Sequence, residues 1–479
     1  MTKNQGKHKS VRRIVALIAL FSGSIVATHA QQFSLYNSRT LYDSFENPSQ
    51  RAYQVDTSRR VAFNFFIPTI SFNTTFSGPA ESAFKTLIYN GIFNGRDLVI
   101  GQNKTNTLTF NSNNYLVMLR ILKSVKKYQE IGLSWQLRND TRAEVTNEVF
   151  AVFDDYRIFD TSSMDDLFNI KAYNQTYHQF SLSYRQNPTK RLAIGTKISL
   201  LSGISYTNLK VSKSEIVLDE VADIIEISLR GRLRSSFKFD NFQTDMIKPN
   251  FKNPGLSVTA SASYKLRDGW FLMGNLKDLG FIKWDKNSYQ YDFNTDKIII
   301  ENASNESADE RLADSIDNNI SKLSENKSYV SVLNGKAEIL INKSFGNYRP
   351  NLILSKSVYY KGGDIALVNN FHVKQYVFTG LGNYNTNGFL QLGGQFMIKK
   401  PNKEFYVGSD HISKTIEIFK NINSSKTSYA GGYTGASFYM GFAVKFGKVL
   451  EHQANATQIP GFTKNPNGGF IKKLIKKKD

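Results

Sequence analysis

Between Gly255 and Leu266 the chain alternates without interruption. Leu256, Val258, Ala260, Ala262, Tyr264 and Leu266 are apolar, and Ser257, Thr259, Ser261, Ser263 and Lys265 separate them. A strand points successive side chains to opposite faces, so this run has one apolar and one polar face. Arg267-Asp268-Gly269 follows, where Asp-Gly supplies the positive φ of a tight hairpin, and a second strand opens at Trp270. The pattern recurs along the chain. Ile131, Leu133, Trp135 and Leu137 stand against Gly132, Ser134, Gln136 and Arg138, and Phe180, Leu182 and Tyr184 against Gln179, Ser181, Ser183 and Arg185. Leu192, Ile194, Ile198 and Leu200 oppose Arg191, Gly195, Lys197 and Ser199, and the run from Ile225 to Phe239 opposes Arg230, Arg232, Arg234 and Lys238. Phe438, Met440, Phe442, Val444 and Phe446 close the series.

Several of these runs are about twice the 5–6 residues usual in a soluble sheet. A tilted strand needs about 9–11 residues to cross a bilayer. No stretch after the N-terminal region approaches the roughly 20 apolar residues of a spanning helix. The pattern predicts an all-β protein, an antiparallel transmembrane β-barrel of about 14 strands over residues 61–447. Asn187-Pro188 and Asp268-Gly269 both read as short periplasmic turns. Yet one clear strand, 225–239, separates the strand after the first from the strand before the second, and that parity places the two turns on opposite sides unless a further strand lies between them.

Four segments break the pattern. Residues 31–60 are polar and irregular and are expected as an N-terminal periplasmic segment. In 77–100, Pro79 and Glu81 mark a helix start, and Phe84, Leu87 and Ile88 share a face. That helix is read as a plug in the barrel or a helical insert packed across one end. Residues 302–327 are acidic and rich in Ser and Asn, and are expected as a long polar loop outside the membrane. Residues 448–479 form a basic tail.

The N-terminus bears on compartment. Lys3, Lys7, Lys9, Arg12 and Arg13 precede an apolar stretch from Ile14 to Phe21, and Thr28-His29-Ala30 offers small residues before Gln31. Residues 1–30 are expected to be a cleaved signal peptide that exports the protein to the bacterial outer membrane. The chain contains no cysteine, which excludes thiol catalysis, cysteine zinc sites and iron–sulfur clusters. Its formal charge is +21, and removing the five basic residues of the signal region leaves +16. For an exported chain this favours anionic lipid headgroups, glycans or an acidic partner, and no nucleic acid.

No catalytic constellation emerges. His178, His372, His411 and His452 have no metal-ligand spacing, and there is no nucleophile elbow or phosphate loop. No enzyme activity, metal or cofactor is expected. The polar feature above background is the cationic face. Arg185, Lys197, Arg230, Arg232, Arg234 and Lys238 oppose apolar faces, so they line the lumen if those faces meet lipid. They then form either an anion-attracting path or a packed lumen in which each cation pairs with an acid. Lys472, Lys473, Lys476, Lys477 and Lys478 are candidates for contact with a partner or the membrane surface.

Asn47-Pro48, Asn253-Pro254-Gly255-Leu256, Asp278-Leu279-Gly280-Phe281-Ile282-Lys283-Trp284, Gly408-Ser409-Asp410 and the closing Gly441-Phe442 to Phe446-Gly447 occur in this order. In them the chain resembles a Bacteroidota outer-membrane barrel family, the domain of unknown function 5723. More distantly it is similar to the fatty-acid-transporter-like barrels, which carry an Asn-Pro element near the mature N-terminus; here Ser49 stands where that pattern has Ala. The resemblance implies a barrel without catalytic residues. The function expected is binding or transport of a small amphipathic or anionic ligand. The alternative is a non-transporting scaffold or accessory subunit of an outer-membrane or secretion complex. The expected partners are outer-membrane lipid and, on the alternative, another envelope or secretion-system protein.

Overall fold

The computed structural model describes residues 32–90, 95, 98–125, 127–154, 159, 162–219, 221–237, 247–294, 298–302, 325–421 and 432–451. Its strands are β1 (Arg59–Phe63), β2 (Ile70–Ser77), β3 (Thr105–Ser124), β4 (Gln129–Thr146), β5 (Ser163–Asp165), β6 (Ile170–Gln186) and β7 (Leu192–Asp219). They continue as β8 (Ile224–Ser235), β9 (Pro254–Lys265), β10 (Trp270–Trp284), β11 (Tyr289–Asn294), β12 (Ile298–Glu301), β13 (Glu325–Asn326) and β14 (Tyr329–Val332). The last are β15 (Lys336–Lys343), β16 (Tyr348–Ser357), β17 (Gly363–Val373), β18 (Tyr376–Asn385), β19 (Phe389–Lys400), β20 (Lys403–Ser409) and β21 (Tyr433–Val449). The α-helices are α1 (Leu41–Glu46), α2 (Glu81–Asn90), α3 (Asn147–Asp154) and α4 (Ile412–Asn421).

All strand pairs are antiparallel, and β21 pairs with β20 on one side and with β1 and β2 on the other, which closes the ring. β1 and β2 share one wall position against β3, and β14 and β15 share another against β10. β5, β8, β11, β12 and β13 pair only with the extension of β7 or with one another. The wall therefore has 14 positions, as the alternation predicted.

The parity argument fails at β7. This strand is 28 residues long and carries two ladders: Leu192–Ser202 pair with β9, and Thr207–Asp219 pair with β8. The described part of the 225–239 run, Ile225–Ser235 on β8, is therefore a hairpin arm beyond the wall. The turns at 187–191 and 266–269 lie on the same rim. Alternation is blind to a change of partner along one strand. Among the described residues the strand-to-strand connections on that rim are short turns, including 344–347, 374–375 and 401–402. The opposite rim carries the described parts of the long connections that leave β2, β4, β10 and β20.

The polar faces point inward. On β9, Ser257, Thr259, Ser261 and Ser263 are 1–6% exposed, whereas Leu256 and Val258 are 47% and 48% exposed. Leu182, Ile198, Leu200, Ile339, Leu354, Leu367 and Leu390 face outward in the same way. A water-soluble barrel has the reverse arrangement. A continuous outward apolar band on a closed barrel with a polar interior is the surface that matches hydrocarbon.

What fills the interior corrects the expectation for 31–60. Residues 32–53 lie within the barrel, whereas Gln54, Asp56 and Thr57 are exposed and Arg59 and Arg60 begin β1 of the wall. Leu41 and Phe45 are fully buried, and with Leu35, Tyr42 and Tyr53 they pack against Tyr115, Met118, Tyr406 and Tyr439 of the wall. Phe33 and Tyr36 pack against Met273, Leu340 and Ile353. A polar, irregular sequence is what a polar lumen accepts, since wall side chains can take up its backbone groups: Glu404 accepts from the Leu41 amide, and Arg120, Arg185 and Lys399 donate to the Ser44, Ser49 and Ser38 carbonyls. The 77–100 helix exists as α2 but sits at the long-connection rim. Phe84 stacks on Phe76 at 3.9 Å, and Leu87 joins Val149, Phe150, Ile216, Ile227 and Ile300 in an apolar cluster. Of the 302–327 loop, 303–324 lie outside the described residues, as do Lys238 and the five lysines of the tail.

Candidate functional site: a plugged lumen and its chamber

The plug is built around α1. Thr40 caps it by accepting a bond from the Asp43 amide at 3.1 Å, and Asn47 ends it. Its polar groups are taken up by the wall. Glu404 accepts a bond from the Leu41 amide at 2.5 Å. Asn275 donates to the Asn47 side-chain oxygen at 2.8 Å, and Asn47 donates to Asp43 at 2.7 Å. The Ser49 carbonyl accepts from Arg185 Nε at 2.8 Å, while Ser261 bonds the Ser49 hydroxyl at 2.7 Å. A Cβ on Gly195 would stand 2.5 Å from the Ser49 amide nitrogen, so only glycine admits the chain there. Asn47-Pro48-Ser49 is thus the hub of the plug. Burial pushes the Asp43 carboxyl up to about 6, against the bonds from Asn47 and Arg39 that favour its charge.

Two ion-pair networks hold the interior. Near the short-turn rim, Glu130 lies 2.7 Å from Arg120 and 3.6 Å from Arg185, all of them buried. Higher up, Asp278 receives Arg138, Lys197 at 3.4 Å and Gln179 at 3.0 Å. Beside it Lys277 lies 3.0 Å from Glu338 and donates to the Tyr36 hydroxyl at 2.7 Å. Neighbours in a strand ought to face opposite ways, yet Lys277 and Asp278 are both about 95% buried, being 5% and 3% exposed. A bulge between Leu276 and Leu279 in the pairing with β9 turns both inward, with Asp278 at φ 49°. Sequence reading passed over this pair. The available signal was two adjacent charges inside an alternating strand.

Above the plug, toward the long-connection rim, is a chamber of about 460 Å³. Phe33, Tyr36 and Glu46 of the plug line it, together with wall residues that include Arg138, Asp140, Tyr173, Tyr177, Asp278, Lys336, Glu338 and Asp364. Its lining holds seven Lys and Arg against six Asp and Glu, interleaved with aromatic rings. The surface is charged but nearly balanced.

The six cations singled out from sequence are dispersed. Arg185 holds the plug at the short-turn rim. Lys197 is 1% exposed beside Asp278. Arg230, Arg232 and Arg234 do not line the wall interior. They stand on β8, each bonded across to β11, through Asn294 at 2.9 Å, Asp292, and Gln290 at 2.9 Å. With Lys210 they line a shallow hollow next to the chamber mouth, since Asn208 and Lys210 border both. The packed arrangement, cation paired with a buried acid, describes Arg185 and Lys197, while Arg230 and Arg232 are exposed, Arg232 beside Asp292, and Arg234 is half-buried over the Tyr329 ring at 5.4 Å. Lys238 and Lys472, Lys473, Lys476, Lys477 and Lys478 lie outside the described residues. No group of three or more His, Asp or Glu able to hold a metal occurs among the described residues.

Several solved structures match the chain at low similarity. The Pseudomonas putida toluene transporter TodX matches with a TM-score of 0.37 and 6% identity, over 85% of this chain and 93% of that one. A Pseudomonas aeruginosa FadL homologue matches with a TM-score of 0.40 and 10% identity, over 87% and 96%. The translocator domain of the autotransporter NalP from Neisseria meningitidis gives a TM-score of 0.26 and 8% identity, over 82% and 91%. No curated protein matches the sequence. A family model matches residues 52–410, and the chain accordingly belongs to the family of unknown function DUF5723.

Proposed function

We propose that the protein is an outer-membrane barrel that binds, and passes across the membrane, a small amphipathic molecule held in the chamber above the plug. The observation that carries this reading is the chamber itself: about 460 Å³, floored by the plug's Phe33 and Tyr36 and walled by aromatic and charged groups. Small-ligand sites have this size and this mixture of apolar lining with a few placed polar groups. The near balance of charge favours a ligand with an apolar body and one polar end over a simple anion. The outward apolar band and inward polar faces support placement in a membrane, and short turns on one rim with long connections on the other are usual for outer-membrane barrels. The plug closes the route below the chamber, so passage requires it to shift while binding does not.

The test is extraction of the barrel purified from native membranes, with mass spectrometry of what it retains. Expected is a small amphipathic compound, reduced at least tenfold in a Tyr177→Ala, Lys336→Met double variant that still folds. If the wild-type chamber retains nothing, and no such compound changes tyrosine or tryptophan fluorescence, the reading is wrong.

A further inference from the structure

The ladder of the wall is interrupted at one place. β20 stops at Ser409, opposite Gly394 of β19, and its last partner on the other side is Tyr439 of β21. Beyond those pairs, Phe389–Gly393 and Tyr433–Phe438 have no β20 residue between them, although β21 goes on pairing with β2 as far as Ser77. The helix α4 occupies the place of the absent half-strand. Thr415 is its substitute for the ladder, since its hydroxyl accepts the Ser437 amide at 3.2 Å. Phe389 also stacks on Tyr433 at 4.6 Å across the interruption.

α4 sits on the outer side of this interruption. Along β19, Leu390 and Leu392 face outward at 58% and 51% exposure, and Gly394 shares their parity. A Cβ on Gly394 would meet Ile412 of α4 at 3.6 Å. The helix is amphipathic. Ile412, Ile416 and Phe419, at i, i+4 and i+7, form one stripe and are 43%, 46% and 76% exposed. On another face Glu417 meets Lys414 at 2.8 Å and Lys85 of α2 at 3.6 Å, tying the helix to the rim.

We propose that α4 lies in the membrane, its Ile412–Ile416–Phe419 stripe inserted among lipid acyl chains on the long-connection side, so that a helix completes the lipid-facing band where half a strand is missing. The occupant is lipid because the stripe continues the band of Leu390 and Leu392 and lies against the same outer face. Apolar area left in water is unfavourable, and amphipathic helices settle at this depth with one face in the acyl region. The inference rests on the membrane placement proposed above.

The chain has no cysteine, so single cysteines can report depth. Ile416→Cys, Phe419→Cys, Lys420→Cys and Leu392→Cys, each spin-labelled and reconstituted in phosphatidylcholine–phosphatidylglycerol vesicles, are compared for collision with oxygen and with a water-soluble nickel complex. Expected is an oxygen-to-nickel ratio at 416 and 419 several-fold above that at 420 and close to that at 392. If 416 and 419 instead match 420 while 392 stays lipid-like, the helix lies in water or against protein and the inference fails alone. If 392 is also water-exposed, the membrane placement fails and takes the inference with it.

Discussion

Two groups of cations carry the same sequence signature and meet different fates. Arg185 and Lys197, joined by Arg120, lie in the plugged part of the barrel with side chains 0–4% exposed, each near a carboxylate. Arg230, Arg232 and Arg234 stand on the arm beyond the wall, where the Arg232 side chain is 53% exposed beside Asp292. All alternate with apolar residues. The difference teaches that alternation reports the side a residue faces and not its depth along the barrel. Depth decides the energetics. A buried pair broken on one side leaves an uncompensated charge, whereas an exposed pair is worth little.

The sharpest way to break this comparison is Glu130→Gln, which strands Arg120 and Arg185. A loss of about 3–5 kcal/mol is expected, read from urea unfolding in lipid vesicles. A cost like that of an exposed pair would erase the contrast. Next comes Gly195→Ala, which pushes a methyl group against the Ser49 amide. A cost of about 1–3 kcal/mol is expected, concentrated on the plug. Protease cleavage within 32–58 and single-channel conductance should both rise. Gly380→Ala, with nothing within 4 Å of its Cβ, should leave both unchanged.

A smaller effect follows from Asp43. Burial raises its carboxyl to about 6, so the folded plug prefers the protonated form. Between the ordinary carboxylate range and about 6 the folded state binds more protons than the unfolded chain. Plug stability should be highest at the acid end of that window, fall as pH rises through it, and level off above. Asp43→Asn should flatten that slope in hydrogen exchange of the plug amides. The smallest effect is expected from Arg230→Gln, Arg232→Gln and Arg234→Gln together. Each should cost under about 1 kcal/mol, diminishing further in salt. Unfolding should barely move. A loss comparable to Glu130→Gln would show that the ladder is structural.

Much of the wall was legible. The Leu256–Leu266 alternation places those side chains outward and their serines inward, as the structure has them. The chamber was less so. Its floor comes from Phe33 and Tyr36 in a segment that looks like an unstructured leader, and its charged pair, Lys277 and Asp278, depends on a bulge that only the pairing with β9 creates. Arg230–Arg234 were displaced from the lumen because β7 changes partner at mid-length.

By itself the sequence determined the strands, their two faces and the approximate size of the ring. Those properties are local: they follow from the two-residue period of extended backbone and from residue polarity. Tertiary structure alone decided which segment fills the lumen, how deep each cation lies, and that a helix replaces half of β20. Each of these depends on register and closure around the whole ring. Register links residues hundreds of positions apart, such as Ser49 with Ser261 and Leu41 with Glu404, and no local period records it.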